Sequence, residues 1–288
     1  MTDTTTAVRL QGDGVTLVAD RWDPVDRPAL GTVLLLHGGG QTRHSWQRTG
    51  KRLADHGWSA LAVDARGHGD SDWADDGDYA IAAHARDLVA VATKLDTPPV
   101  LVGASLGGMA SLLAQGSNPG LARALVLVDI TPRAEPEGIT KITTFMRDGL
   151  AGFDTLEDAA AAVAAYNPHR KRPPRADGLR KNLRERDGRW YWHWDPRMLG
   201  DRVNSPEQAG VREEQARAAA QAVTVPTLLI RGAQSDVVSP EGARDLLELI
   251  PGSRLVDVGG AGHMVSGDDN DVLSEGLLEF LDRDVPAW

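Results

Sequence analysis

The sequence predicts an α/β fold with a mostly parallel sheet, on the basis of three observations. Short apolar runs recur along the chain, helical patterns lie between them, and most runs end close to Gly, Asp or Ser. Continuous runs of Leu, Ile and Val are typical of strands that are buried on both faces, as in parallel sheets. Regular alternation of strands and helices indicates the doubly wound class.

The elements follow in chain order. Near the N-terminus, Gly12-Asp13-Gly14 separates two short strand patterns and predicts a hairpin. The buried strands expected after it are Val33–Leu36, Ala60–Val63, Val100–Val102, Leu125–Val128 and Thr227–Ile230. The helices expected between them are Ser45–His56, Ile81–Leu95, Leu106–Gln115 and Pro240–Ile250.

The alternation stops between Arg133 and Ala222. This stretch contains an Ala-rich helical pattern at Leu156–Tyr166 and an aromatic run at Trp190–Trp194. We interpret it as a helical insertion in a sheet domain. The predicted organisation is therefore a sheet domain formed by residues 1–132 and 222–288, with a helical cap at residues 133–221.

Composition narrows the function classes. The 288 residues are 25% charged and 41% hydrophobic, which is ordinary for a globular protein. A net charge of −10 disfavours nucleic acid and anionic membranes as partners, and the absence of cysteine excludes thiol chemistry. We see no secretory signal and no apolar run of about 20 residues, so we expect a cytoplasmic protein that does not span a membrane. Assembly as a homo-oligomer is left open.

The clearest chemical motif is Gly103-Ala104-Ser105-Leu106-Gly107. It follows a predicted strand and opens a predicted helix, which is the context that G-x-S-x-G requires. The sharp turn should present the Ser105 hydroxyl above the sheet. The glycines allow the neighbouring backbone to pass without a Cβ clash. Ser105 is therefore the predicted nucleophile.

A serine hydroxyl needs a base at neutral pH, and His263 is the predicted one. It lies in a Gly-rich loop after the late strand pattern Arg254–Val258, from which it can reach over the edge of the sheet. The base in turn needs a carboxylate to orient it. Asp236 follows the strand Thr227–Ile230 and is the preferred carboxylate, and the order Ser105, Asp236, His263 fits the Ser…Asp…His order of hydrolases with a G-x-S-x-G turn. Asp129, at the end of the strand before the insertion, is the alternative.

A second loop completes the expected chemistry. His37-Gly38-Gly39-Gly40 directly follows a predicted strand, and such a loop supplies one N–H of an oxyanion hole. Gly39 is the chosen donor, and Leu106, the residue after the nucleophile, supplies the other. Gln41 is assigned a polar contact to the substrate. We expect His37 to brace the loop rather than to act as the base.

These motifs, in this order and spacing, resemble the cap-bearing α/β-hydrolases, specifically small esterases, lactonases and perhydrolase-like enzymes. The matching pieces are Leu34–Gly40, Asp64–Asp72, Val102–Gly108, Arg231–Asp236 and Gly260–His263. The resemblance implies an eight-stranded, mostly parallel sheet with a helical cap after the sixth strand. Serine at the elbow argues against epoxide and haloalkane chemistry, which use aspartate there. Gly40 and Gln41, where perhydrolases often carry proline, argue against that activity.

The cap offers candidate substrate contacts. Trp192 and His193 lie in the aromatic run and either line a pocket or pack the cap, and Met264, next to the base, is also assigned to substrate binding. Between His169 and Arg189, nine Lys or Arg residues stand against three acidic ones. This basic segment either steers anionic substrates or is simply a solvated surface.

The predicted function is hydrolysis of a carboxylic ester or lactone of a small, largely apolar substrate, by a Ser-His-Asp triad through an acyl-enzyme. Neither a metal nor an organic cofactor is implied, because no phosphate loop or cluster of metal ligands is recognisable. The alternative is a cofactor-free carbon–carbon hydrolase or lyase with the same triad, although Ala104 replaces the Asn common in the former. A third hypothesis is that the protein is a ligand receptor built on the same fold.

Overall fold

The computed structural model describes residues 5–167, 176–200, 206–263 and 270–285, without the side chains of 206, 207 and 270. Within these ranges, eight strands form one sheet in the order β1-β2-β4-β3-β5-β6-β9-β10, and β7 pairs with β8 in a separate hairpin. The strands are β1 (Thr6–Gln11), β2 (Thr16–Trp22), β3 (Thr32–Leu36), β4 (Ser59–Val63), β5 (Val100–Ala104), β6 (Ala124–Val128), β7 (Leu183–Arg186), β8 (Arg189–Trp192), β9 (Thr227–Gly232) and β10 (Arg254–Val258). β2 runs antiparallel to β1 and β4, and the other pairs of the large sheet are parallel. The predicted mostly parallel sheet is confirmed.

Helices cover both faces of the sheet, which explains the continuous apolar runs. Every residue of β4, β5, β6 and β9 is buried. Successive residues point to opposite faces, so Leu34 lies in one apolar cluster and Leu35 in the other. The helices outside the insertion are α1 (Gln47–Asp55), α2 (Ile81–Ala92), α3 (Leu106–Ser117), α8 (Pro240–Leu249) and α9 (Asn270–Asp284). No helix in the described part of the chain is long and apolar enough to cross a membrane.

The insertion between β6 and β9 contains helices and the β7–β8 hairpin. Its helices are α4 (Pro136–Asp148), α5 (Leu156–Tyr166), α6 (Ala176–Leu179) and α7 (Pro206–Ala222). The hairpin turns at Asp187 and Gly188, whose φ angles of 51° and 75° are those of a tight type I′ turn. Asp-Gly is a strong hairpin signal, and the first part of the aromatic run, which we expected within a helical insertion, forms the strand β8.

The last helix of the predicted cap packs on the sheet domain. Ala216, Ala219 and Ala220 of α7 belong to the same apolar cluster as the strands. A Cβ built on Gly116 of α3 would lie 2.6 Å from the Ala219 backbone, so the two helices touch through small residues. The boundary at residue 221 stays a prediction of the sequence.

Three buried histidines connect the loops above the parallel strands. His37 donates from Nδ1 to Gly38 O over 2.8 Å and accepts from the Ala65 N–H over 3.0 Å. His68 and His193 lie beside it, with ring centroids 5.7 Å apart. Burial away from water lowers the pKa of His37, places that of His68 well below its ordinary value and lowers that of His193 to about 3. These side chains are therefore neutral at pH 7.

The contact between α3 and α7 gives a first prediction. Gly116→Ala should lower the free energy of unfolding by about 1–3 kcal/mol, because the new Cβ collides with the α7 backbone. Gly210→Ala on α7, where a Cβ meets nothing within 4 Å, should instead raise it by up to about 1 kcal/mol. Urea denaturation measures both. Equal stability of the two variants would contradict the close approach of the helices.

Buried neutral histidines also predict acid sensitivity. His84 on α2 is buried, and burial lowers its pKa to about 3. Because the unfolded chain takes up this proton near pH 6.5, stability is present above that pH and is lost as the pH falls towards 3. Between pH 7 and pH 5, His84 should therefore account for about 2 kcal/mol of lost stability.

Denaturant titrations at the two pH values test this contribution. His84→Leu should reduce the difference in unfolding free energy between pH 7 and pH 5 by that amount. The wild-type protein, measured at the same two pH values, gives the reference difference. An unchanged difference in the His84 variant would contradict a neutral buried side chain.

Candidate active site

Ser105 lies at a sharp turn between β5 and α3. Its φ of 47° and ψ of −112° are rarely adopted by residues other than glycine, as the motif predicts. A Cβ on Gly103 would lie 2.4 Å from Gly107 O, and one on Gly107 would lie 2.6 Å from Leu36 O. Both positions therefore require glycine. The Ser105 N–H donates to Val128 O over 3.0 Å, which connects the turn to the end of β6.

His263 lies between the serine and a carboxylate. Its Nε2 is 3.1 Å from Ser105 Oγ, and its Nδ1 is 2.7 Å from Asp129 Oδ2. Since a carboxylate only accepts, Nδ1 carries the proton and Nε2 is left as an acceptor for the serine hydroxyl. The His263 side chain is 8% exposed.

Asp129 is fixed at the carboxyl end of β6. Its side chain is 1% exposed. Oδ1 accepts from the Gly232 N–H over 2.9 Å, and Oδ2 accepts from the Ser235 hydroxyl over 2.6 Å as well as from His263. A φ of 51° and a bond from its N–H to Ile230 O turn the chain away from β6 at this residue. The carboxylate is therefore buried, hydrogen-bonded and aimed at the histidine.

The sequence preferred Asp236 over Asp129 as the carboxylate that orients His263, and the structure shows that Asp129 makes this contact. Asp236 is 40% exposed and pairs with Lys141 of α4 at 2.8 Å. A Cβ on Gly138 of that helix would come within 2.2 Å of Asp236 O. Asp236 therefore faces the insertion, while Ser235, one residue earlier, donates to Asp129. The overlooked signal is the place of Asp129, directly after the buried strand that neighbours the strand leading to Ser105.

The glycine loop after β3 lies beside Ser105. A Cβ on Gly38 would be 3.4 Å from Ser105 Cβ, and one on Gly39 would be 4.0 Å from Leu106 Cδ2. The Gly38 N–H donates to Gln41 Oε1 over 3.1 Å, and the Gly40 N–H donates to His68 Nε2 over 3.0 Å. The N–H groups of Gly39 and Leu106 have no hydrogen-bond acceptor among the residues that the structure describes. These two are the donors that the sequence assigned to the oxyanion hole.

The predicted substrate-binding residues separate into different roles. Gln41 shapes the glycine loop through Gly38, and its contact to substrate stays a prediction. The Trp192 ring packs between Phe145 and Phe153, with centroids 5.8 and 5.3 Å away, inside the insertion. His193 bonds to the loops of the sheet domain. Met264 lies outside the described residues.

Two residues near the glycine loop were not anticipated. The position of a Cβ on Gly40 is 3.5 Å from Met146 Cε and 3.7 Å from Trp194 Nε1. Both come from the insertion, so it forms one wall of the space around the loop. Only a contact across more than a hundred residues reveals them, and no local pattern carries that information.

The described residues contain no group of three or more His, Asp or Glu side chains arranged to hold a metal ion.

Known proteins resemble this chain over most of its length. A sequence model of the alpha/beta hydrolase fold family matches residues 31–269. An esterase of Mycobacterium tuberculosis is 32% identical over 259 residues, which cover 87% of this chain and 82% of that protein. The 2-(acetamidomethylene)succinate hydrolase of Mesorhizobium japonicum is 29% identical over 232 residues, covering 80% of this chain and 81% of that protein.

Solved structures show the same fold. The crystal structure of E-2-(acetamidomethylene)succinate hydrolase superposes with a TM-score of 0.82 at 25% identity, covering 96% of this chain and 99% of that one. From the family match and the 32% identical esterase, we conclude that this chain belongs to the alpha/beta hydrolase fold family, and the prediction that it is an ester hydrolase is confirmed.

Proposed function

We propose that the chain hydrolyses carboxylic esters with Ser105 as nucleophile, His263 as general base and Asp129 as the orienting acid. One observation carries the proposal: His263 contacts Ser105 Oγ with one ring nitrogen and the buried Asp129 carboxylate with the other. A serine hydroxyl bonded to a histidine, which is in turn bonded to a carboxylate, becomes nucleophilic at neutral pH.

In the acylation step, Ser105 Oγ attacks the ester carbonyl carbon while His263 Nε2 takes the hydroxyl proton. Asp129 stabilises the imidazolium that forms. The carbonyl oxygen becomes negatively charged and accepts from the N–H groups of Gly39 and Leu106. Donors that are already in place at this position contribute several kcal/mol to transition-state stabilisation, because they need not reorganise.

The ester bond then breaks. His263 returns its proton to the leaving alkoxide, so an alcohol departs and the acyl group stays on Ser105. In deacylation, a water molecule attacks the acyl carbon and gives its proton to His263 Nε2. Collapse of this second tetrahedral species releases the carboxylic acid and restores the serine hydroxyl.

The substrate that we propose is small and largely apolar. Met146 and Trp194 lie beside the glycine loop, and the same insertion carries an aromatic group in which Trp192 contacts Phe145 and Phe153. Apolar and aromatic side chains of this kind stabilise an acyl or alkyl group by removing it from water.

An anionic substrate is the second candidate. The Mesorhizobium relative is named for a substituted succinate, and the insertion of this chain carries many basic residues. In the structure, however, Arg184 pairs with Asp70, Arg189 pairs with Asp154, and Arg180 and Arg186 lie over Trp190 and Tyr191. These cations therefore already have partners, which favours the neutral ester.

A chain-length series tests the substrate class. p-Nitrophenyl esters from acetate to octanoate should be hydrolysed by the wild-type protein, with an optimum at short chains. Ser105→Ala should lower kcat by about 10⁴-fold or more, since triad residues act as a unit. A hemisuccinate ester and a ring-fission dienoate belong in the same panel. Faster turnover of either would favour the anionic substrate or the carbon–carbon hydrolase, respectively.

The identity of the acid has its own matched test. Asp129→Asn should lower kcat by about 10⁴-fold, because an amide there stabilises the wrong histidine tautomer. Asp236→Asn removes the same charge from a side chain that pairs with Lys141 of the insertion, and kcat should change little. Steady-state kinetics on one ester measure both. A larger loss in the Asp236 variant would refute the assignment.

A further inference from the structure

The loop of the proposed oxyanion hole contains three consecutive glycines. Glycine loses more conformational freedom on folding than any other residue, so Gly38-Gly39-Gly40 cannot hold a fixed geometry by itself. Two preorganised N–H groups are useful only when they already point at the site of the developing charge. Something outside the loop must therefore fix its peptide groups.

Buried histidines contact the successive peptide groups of this loop. The Gly38 carbonyl, which shares a peptide group with the Gly39 N–H, accepts from His37 Nδ1 and from the Gln41 N–H. The Gly40 N–H, in the next peptide group, donates to His68 Nε2 over 3.0 Å. The Gly40 carbonyl, in the third, accepts from His193 Nε2 over 3.3 Å.

His68 and His193 are themselves held in one orientation. His68 donates from Nδ1 to Arg66 O over 3.0 Å, so its Nε2 is an acceptor. His193 accepts at Nδ1 from the Gly69 N–H over 2.6 Å, so its Nε2 is a donor. Both side chains are buried. Each neutral ring therefore has the one tautomer that matches its Gly40 partner.

We infer that His68 and His193 are positioning residues that clamp the Gly40 peptide groups and thereby aim the Gly39 N–H at the oxyanion. His193 follows β8, so the insertion sets the geometry of the oxyanion hole as well as covering the site. Further bonds hold this hairpin in place, from the Asp195 N–H to Gly67 O and from Thr42 Oγ1 to Asn182 Oδ1. This inference rests on the proposed function.

Paired substitutions isolate the Gly40 bonds. An Asn amide reaches the position of imidazole Nδ1, and a Gln amide reaches that of Nε2. His68→Asn and His193→Asn therefore keep the bonds to Arg66 and Gly69 but lose those to Gly40. His68→Gln and His193→Gln do the reverse.

The Asn variants should lose about 10- to 100-fold in kcat with little change in KM, because a small displacement of a positioned group costs up to about 100-fold. Their affinity for a trifluoromethyl ketone, which forms a tetrahedral adduct with the serine, should fall by the same factor. The Gln variants should keep most of both. Arg184→Gln, which removes bonds from the same hairpin to Gly69 O and Asp70 but none to the glycine loop, should behave as wild type.

Equal losses in the Asn and Gln variants, or a matching loss in the Arg184 variant, would overturn the inference. The histidines would then act only through packing or through docking of the hairpin.

Rates of Ser105 labelling by a fluorophosphonate separate a failure of the clamp from a failure of the proposed function. In that reaction Ser105 Oγ displaces fluoride from phosphorus, so no carboxylic ester is needed. Wild-type labelling without ester turnover would refute the ester substrate, while the Asn-to-Gln difference would still test the clamp.

Amide hydrogen exchange at Gly40 gives a readout that needs no reaction. The Gly40 N–H should exchange faster in His68→Asn than in His68→Gln, because only the latter retains an acceptor for it. Equal exchange rates in the two variants would overturn the inference whatever the substrate.

Discussion

The close approach of the backbone around Ser105 is the constraint on which the rest of the site depends. Gly103 and Gly107 lie too near other main-chain atoms for any side chain, and Ser105 adopts a conformation that costs roughly 1–3 kcal/mol. The surrounding structure must offset that cost. Hydrogen bonds from the Ser105 N–H to Val128 O and from the Gly107 N–H to His37 O do so, and they also connect the turn to its neighbours.

The same pattern of bonds continues to Asp129 and His263, the proposed acid and base. The Asp129 N–H donates to Ile230 O, and its carboxylate accepts from the Gly232 N–H at the end of β9. The Ala233 N–H donates in turn to Val258 O at the end of β10, the strand that precedes His263. Adjacent parallel strands thus end at the same level of the sheet. At each end, a hydrogen bond to the neighbouring strand fixes the first residue of the loop that follows. The geometry of the proposed triad follows from the register of the sheet, and loops of many lengths would be compatible with it.

The sequence predicted what depends on local chemistry. The buried strands, the elbow at Ser105, the base His263 and the glycine loop each carry a pattern within a few residues. The acid was misassigned because Asp129 and Asp236 both follow a strand, and chain order alone cannot show that the chain after β9 turns at Ser235. The hairpin in the insertion was missed because the aromatic run outweighed the Asp187-Gly188 turn. Contacts of Met146, Trp194 and His193 with the glycine loop depend on how the insertion folds back.

The insertion follows β6 directly, and this connectivity has a consequence for the chemistry. Asp129 leaves the sheet at the point where the insertion starts, while Lys141 on α4 pairs with Asp236 after β9. The insertion is therefore fastened near the acid at one end and, through His193, near the oxyanion loop. A pocket wall attached at both places can change its apolar side chains, and thus its substrate, while the reacting groups keep their positions. Substitutions in the insertion can alter the substrate in this way without disturbing the strained turn at Ser105.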